Sequence, residues 1–216
     1  MLTICWAAKG GSGTTVVSAG LALTGPGLLV DLAGDLAPVL GLPDPAGPGV
    51  HDWLAADAPP DRIANLCIPL NGDVQLLPAG QRTPAAAAPD PARWAQLGEY
   101  LRRAPGQVVV DAGTGVPPAG LLSVADHAWL VVRNCYLGLL AANRQPAHAN
   151  AAVLVEEPGR RLGADDVEHA LGIPVVATVL LDPAIARAVD AGLLLGRLPA
   201  GLRGPLAPRR TARLEA

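Results

Sequence analysis

The chain has 216 residues and a formal net charge of −3, with 50% hydrophobic and only 16% charged residues. A chain so apolar and so weakly charged is not intrinsically disordered, and its length suits one domain with a substantial core. The slightly acidic balance excludes a protein whose whole surface attracts nucleic acid. Among the 16 basic residues only Lys9 is a lysine, so this position needs an explanation.

Short apolar runs alternate with longer helical stretches along the chain. Strands are predicted at residues 2–7, 27–31, 66–70, 74–77, 107–111, 128–132, 151–155 and 174–179. Helices are predicted at 14–23, 49–56, 91–103, 137–145, 164–171 and 182–194. Runs that are apolar throughout indicate strands buried on both faces, and their alternation with helices indicates parallel βαβ units. The sequence therefore predicts an α/β fold: a doubly wound, mostly parallel sheet of about seven strands flanked by helices.

The composition changes near the C-terminus, where glycine, proline and arginine become frequent. We expect residues 1–196 to form one domain and residues 197–216 to form an irregular, Arg/Pro-rich tail. This tail has five arginines and one acidic residue, Glu215. Such a basic segment is either a solvated end of the chain or a contact for DNA, anionic lipid or an acidic partner.

The first predicted strand ends in a glycine-rich loop, AAKGGSGTT at residues 7–15. Glycines let several backbone N–H groups converge on one point, and the following helix adds its N-terminal donors and dipole. An ordinary P-loop, GxxxxGK[ST], would place its first glycine at Ala8, its lysine at Thr14 and its Mg²⁺-binding hydroxyl at Thr15. The loop therefore predicts a phosphate site.

Several segments in order carry a more specific resemblance. KGGSGTT resembles the deviant Walker A motif, KGGxGK[ST], of the ParA/MinD family of P-loop ATPases. GLLVDLAGDLAPVLGL resembles the second strand and switch segment of that family, and VVVDAGTG resembles its Walker B strand. ADHAWLVVRNCYLGLLAANR and ALGIPVVATVLLDPAIARAVDAG resemble later strand–helix units. The resemblance covers about residues 1–195.

The resemblance implies a role for each matching position. Lys9 matches the lysine that reaches across a dimer to the partner's nucleotide, which would explain its survival among arginines. The phosphates of ATP or ADP would be bound by Lys9, Gly10, Gly11, Ser12, Gly13, Thr14 and Thr15. Mg²⁺ would be held by Thr15, Asp31 and Asp111.

Three positions depart from the family pattern. Thr14 replaces the P-loop lysine, and Ala33 stands where the switch segment usually has its second carboxylate. Phosphoryl transfer depends on positioning and charge stabilisation, so these changes predict weakened or absent ATP hydrolysis. Asp35 is the candidate substitute for the carboxylate at position 33, and the catalytic residue otherwise stays unassigned. Glu156 stands where many relatives have an asparagine that reads adenine, which leaves the base open.

Three functions remain open on the sequence. The first is a ParA/MinD-like nucleotide-dependent positioning or partitioning protein. The second is a scaffold or localisation protein of the same fold that does not hydrolyse ATP and binds a protein partner. The third is a Rossmann-type NAD(P)-binding protein, because Gly11, Gly13 and Val16 followed by Asp31 echo the dinucleotide fingerprint.

The expected partners are a second copy of the chain and a protein cargo. DNA contact should be weak or absent because the body of the chain is acidic. Membrane anchoring is not expected, because the terminal GPLAPRRTARLEA has too few apolar residues for an amphipathic helix. Three scattered cysteines without a CxxC motif, and an N-terminus unlike a signal peptide, predict a cytoplasmic protein.

Overall fold

The computed structural model describes residues 1–82, 89–145 and 148–207. In these ranges the strands are β1 (Leu2–Ala7), β2 (Gly27–Asp31), β3 (Ile68–Asn71), β4 (Val74–Leu77), β5 (Gln107–Thr114), β6 (His127–Arg133), β7 (Ala151–Glu156) and β8 (Val175–Leu180). They form one sheet in the order β3-β4-β2-β5-β1-β6-β7-β8. Only the β3–β4 pair is antiparallel among these pairings. The expectation of a doubly wound, mostly parallel sheet is therefore confirmed, with eight strands instead of about seven.

The sheet order decides where the chain can bind a ligand. Strand β1 lies between β5 and β6. The connection from β1 leads to β2 on one side, whereas the connections from β5 and β6 lead towards β8 on the other side. Open α/β sheets bind ligands at such a switch point, beyond the carboxyl ends of the strands. In a Rossmann sheet, by contrast, the first two strands are neighbours. Here β5 separates β1 from β2, so the fold does not support the NAD(P)-binding alternative.

The central strands pack apolar side chains on both faces of the sheet, which explains why their sequences do not alternate between apolar and polar residues. On one face, Cys5, Val109 and Val131 pack with the first helix. On the other, Ile4, Val108 and Leu130 pack with the helices Val50–Ala55 and Pro91–Arg103. Successive strand residues point to opposite faces, so this parity also fixes the direction of polar residues at the strand ends.

The described helices are α1 (Thr14–Ala22), α2 (Leu36–Leu40), α3 (Val50–Ala55), α4 (Pro91–Arg103), α5 (Ala119–Leu122), α6 (Tyr136–Asn143), α7 (Ala164–Leu171), α8 (Pro183–Asp190) and α9 (Ala200–Leu206), with a 3-10 helix at Pro60–Leu66. The sequence predicted the six longest of the α-helices other than α9. The short α2, α5 and the 3-10 helix span too few residues for a helical period to show. Within the described residues, no helix combines the length and apolar character needed to cross a bilayer.

The expectation of an irregular segment after residue 197 is wrong for residues 200–206. Helix α9 packs on α1, and a Cβ at Gly20 would lie 2.9 Å from a Leu206 methyl group. Leu202 is fully buried in the same cluster. Two glycines and Pro205 in the helix concealed it, because both residue types disfavour helix interiors when propensity alone is considered. The arginines at 209, 210 and 213 lie outside the described residues, so the rest of the tail prediction is untested.

Leu202→Ala is expected to lower the free energy of unfolding by about 3 kcal/mol, because it opens a cavity where α9 meets α1. Leu193→Ala is the matched control, since Leu193 is 56% exposed and its truncation should change stability by less than about 0.5 kcal/mol. Urea denaturation measures both. Equal stabilities for the two variants would contradict a packed α9.

Candidate functional site

The glycine-rich loop lies at the carboxyl end of β1 and continues directly into α1. Gly11 and Gly13 have φ angles of 77° and 90°, a region that side chains with a Cβ rarely adopt. The Ser12 hydroxyl donates a 2.8 Å hydrogen bond to the Lys9 carbonyl and thereby closes the loop on itself. The loop's N–H groups and the N-terminus of α1 together form a cradle suited to an anion. Lys9, Gly10 and Gly11 are exposed, whereas Ser12 and Thr14 are buried.

Asp111 is the most unusual carboxylate of the site. It is fully buried on β5, beside β1, and its Oδ1 accepts the Gly113 N–H at 3.2 Å. Its Oδ2 has no hydrogen-bond partner among the described residues. Burial raises the Asp111 pKa to about 7, which the Thr15 hydroxyl and the Gly113 N–H only partly oppose. A buried acceptor without a donor costs free energy, so this oxygen fits a cation or a bound water that the protein chain does not supply.

Asp31 is the register neighbour of Asp111 on β2. Its Oδ1 accepts the N–H groups of Ala33 and Gly34, at 3.1 and 2.6 Å, and its Oδ2 accepts that of Leu36 at 3.0 Å. Burial raises the pKa of Asp31, although the three hydrogen bonds act to lower it. Asp31 therefore shapes the turn from β2 into α2, a role that the sequence did not indicate. Its direct binding of a metal remains a prediction, and three backbone donors already occupy the carboxylate.

The segment after Asp31 faces the loop after Asp111. A Cβ at Gly113 would come within 3.0 Å of the Ala33 methyl group, so these two loops touch. Asp35 is exposed at the start of α2, and its side chain does not cap that helix. It is close enough to raise the pKa values of Asp31 and Asp111. Across the described residues, no group of three or more His, Cys, Asp or Glu side chains gathers as a metal site.

An apolar cavity of about 250 Å³ continues from the other side of the cradle. It reaches from the glycine loop to the ends of β7 and β8 and to helix α8. Its walls include Gly13, Val155, Leu181, Ile185 and Val189. No sequence motif marks this cavity, because its residues come from separate segments and are mostly apolar, with the exceptions of Asp182 and Asp190.

Glu156 does not belong to that wall. Val155 lines the cavity, and strand alternation turns the next side chain to the opposite face of the sheet. The Glu156 carbonyl accepts the Leu181 N–H at 2.7 Å, which joins the ends of β7 and β8. A ligand in the cavity would therefore meet aliphatic side chains and backbone, with no contact to the carboxylate at 156.

A charged cluster at the end of β6 was also missed. Arg133 Nη2 lies 2.6 Å from Glu157 Oε2, and Arg160 Nε lies 2.8 Å from the same oxygen. Asn134, which is buried, donates to the carbonyls of Glu157 and Leu162 and accepts the Glu157 N–H at 2.8 Å. The only sequence signal was an arginine ending an otherwise apolar strand at the carboxyl edge of the sheet.

Comparison with solved structures identifies the fold. A ParA family ATPase from Chlorobium tepidum TLS superimposes with a TM-score of 0.75 at 18% identity, covering 95% of this chain and 96% of that one. MinD from Pyrococcus horikoshii OT3, complexed with Mg-ADP, gives 0.71 at 19% identity and covers 96% and 93%. The MinC:MinD cell division complex of Aquifex aeolicus gives 0.69 at 16% identity and covers 95% and 92%. No family model and no curated protein matches the chain. The chain therefore has the fold of ParA/MinD P-loop ATPases over nearly its whole length.

Proposed function

We propose that this protein binds ATP or ADP with Mg²⁺ and acts as a ParA/MinD-like positioning or partitioning protein in the cytoplasm. One observation carries the proposal: a single loop joins an orphaned buried carboxylate on one side to an apolar cavity on the other. Thr15 is beside Asp111, and Gly13 lines the cavity. A nucleotide would match this arrangement, because its phosphates bind a metal and its other end is a flat ring that can pack against apolar side chains.

Different residues of the loop would bind different parts of the nucleotide. The backbone of Gly10, Gly11, Ser12 and Gly13 would hold the phosphates, with Thr14 at the first turn of α1. Mg²⁺ would be held by Thr15 and by the free Oδ2 of Asp111, with Asp31 fixing the loop around them. Bound Mg²⁺ supplies positive charge to the phosphates. The base would occupy the cavity, whose mostly aliphatic walls would pack against the faces of a flat ring and whose lining also includes Asp182 and Asp190.

The edge of the sheet that carries the loop also supports dimerisation. Exposed apolar side chains lie at or just after the carboxyl ends of β5, β6 and β8, and Tyr136, at the start of α6, is 71% exposed; the others are Val116, Leu137, Leu180 and Leu181. Apolar side chains gathered on one face indicate a protein–protein contact. Lys9 is exposed at the same edge, after β1, which suits a side chain that reaches a nucleotide in a partner copy. A protein cargo would bind the dimer, as MinC accompanies MinD in the Aquifex complex.

A scaffold that does not hydrolyse ATP is the second candidate. Thr14 and Ala33 favour it, because neither can supply the charge or the carboxylate of the family pattern. The fold, the nucleotide site and the dimer edge would be the same in both cases. The rate of ATP hydrolysis distinguishes the two candidates.

ATP with Mg²⁺ is expected to raise the melting temperature and to shift the protein to a dimer, whereas NAD should do neither. A ligand at 100 times its Kd adds about 2.7 kcal/mol to stability, a shift of several degrees. Differential scanning calorimetry, isothermal titration and light scattering measure the melting temperature, the affinity and the oligomeric state.

Lys9→Ala should remove the ATP-dependent dimer but keep most of the affinity for ATP. Arg102→Ala is the control, since Arg102 is exposed near the end of α4, just before β5 begins, at the opposite edge of the sheet. Stabilisation by NAD and not by ATP would overturn the proposal.

A further inference from the structure

The cradle lacks a positive charge of its own where a polyphosphate would need one. Thr14 is neutral, and Lys9 is exposed at the rim of the loop. The nearest ionisable groups on the β2–β5 side are carboxylates, Asp31, Asp35 and Asp111. The Mg²⁺ proposed at Thr15 and Asp111 would offset these carboxylates, but a triphosphate would still lack the cation that a lysine at position 14 would supply.

Arg133 is the cation on the other side of the cradle. It ends β6, the strand that pairs directly with β1. Val131, two residues earlier, packs in the cluster that contains α1 residues, so alternation turns Arg133 toward that same face. Its register neighbour on β7 is Val155. A Val155 methyl group lies 3.6 Å from the position of a Cβ at Gly13, which puts Arg133 one side chain away from the phosphate loop.

The guanidinium of Arg133 is only partly engaged. Nη2 contacts Glu157, whereas Nε is buried and has no hydrogen-bond partner among the described residues. Arg160 contacts the same oxygen of Glu157. The cluster therefore has two cations for one carboxylate, so Glu157 would keep a partner if Arg133 moved to another anion.

We propose that Arg133 binds the phosphates of the bound nucleotide and supplies the charge that Thr14 does not. Glu157 holds the guanidinium beside the cradle, and Arg160 keeps its contact with Glu157 when Arg133 moves to the ligand. A guanidinium suits this position because its fork of donors can hold two phosphate oxygens at once. This inference rests on the proposed nucleotide site, but it assigns the phosphate charge to a strand outside the glycine loop.

The first test compares Arg133→Gln with Arg160→Gln by isothermal titration with ATP and Mg²⁺. Both variants remove one arginine from Glu157, but only the first removes the cation on the α1 face. We expect the affinity for ATP to fall at least about tenfold in Arg133→Gln and less than about twofold in Arg160→Gln. Equal affinities in the two variants would overturn the inference. ATP binding by the unaltered chain that Arg133→Gln leaves intact would refute this inference alone, whereas no binding by the unaltered chain would refute the proposed function as well.

The second test uses Glu157→Gln, for which a merely structural role predicts the opposite result. Asn134 anchors the loop through the backbone of residue 157, so this substitution leaves the loop attached. Removing the carboxylate frees Arg133 and raises the positive charge of the cluster. We expect the affinity for ATP to rise about threefold or more, with a steeper decrease as salt is added. Lower affinity in Glu157→Gln would show that the ion pair only shapes the site and would overturn the inference, even if Arg133→Gln failed to fold.

Discussion

Asp111→Asn is expected to stabilise the ligand-free protein at neutral pH and to abolish its stabilisation by Mg²⁺ and ATP. Burial raises the Asp111 pKa from 3.8 to about 7. Between these two values the unfolded chain loses the proton while the folded protein keeps it, so the folded state loses relative stability as the pH rises. The loss is complete above pH 7 and amounts to at most about 4 kcal/mol. An asparagine does not ionise and removes this pH dependence.

Thermal denaturation of both proteins in EDTA, from pH 4 to pH 8, measures the effect. The difference between the two stability profiles should grow as the pH rises through this range, and the variant should be the more stable protein at pH 8. Asp44→Asn is the control, because Asp44 is exposed in a loop away from the cradle. Parallel profiles for Asp111→Asn and the unaltered chain would contradict the buried, unpaired carboxylate. Added Mg²⁺ and ATP should then stabilise the unaltered chain and the control but not Asp111→Asn.

A position can thus be unfavourable for the fold and favourable for a ligand. The apolar strand VVVD predicted a buried carboxylate at the carboxyl edge, and its role came from the resemblance. The sequence did not show that Oδ2 has no donor, because the groups that reach this oxygen depend on how separate segments pack around β5. The apolar strand GLLVD likewise ends in Asp31, and the resemblance implied the same metal-binding role for it. Its three backbone donors depend on the turn that follows it, which no strand pattern specifies.

Features formed by contiguous residues were predictable from the sequence, whereas features assembled from separate segments were not. This explains why the fold was predicted well and the site only in part. Strands buried on both faces have an apolar pattern that identifies them one by one. The glycine loop is also contiguous, so its conformation follows from adjacent residues. The apolar cavity and the Arg133 cluster are assembled from separate segments, and only the strand order makes them neighbours of the loop. Helix α9 was missed because its helical character comes from burial of Leu202 and Leu206 against α1 and not from its own propensity.

Asp35 is the remaining candidate for a catalytic carboxylate, and its location limits what it can do. It is exposed on the turn that begins α2, beyond the contact between Ala33 and Gly113. The effect that the structure shows is electrostatic: the charge of Asp35 raises the pKa values of Asp31 and Asp111. If the unaltered chain hydrolyses ATP at a measurable rate, Asp35→Ala tests this residue, and an unchanged rate would exclude it.

Thr14→Lys is expected to raise ATP hydrolysis by about 10²–10³-fold over an unaltered chain whose rate is at background. Thr14 begins α1 and is buried at the cradle, so a lysine there would place its ammonium among the phosphates, where charge develops during transfer. Ala33→Asp added to Thr14→Lys should raise the rate further, because it restores a carboxylate beside the Gly113 loop.

Release of inorganic phosphate measures turnover, and Thr24→Lys is the matched control at the opposite end of α1. Thr24 follows the helix, and its hydroxyl bonds to the Leu21 carbonyl, so a lysine there adds the same charge far from the cradle. Ready turnover by the unaltered chain would contradict a site that has lost its catalytic charge. Because Arg133 already supplies a binding charge in our proposal, Thr14→Lys should change the rate far more than the affinity for ATP. A large gain in affinity with no gain in rate would show that the lysine only strengthens nucleotide binding. The absence of hydrolysis would then follow from the geometry of the whole site and not from the loss of one lysine, as expected of a scaffold.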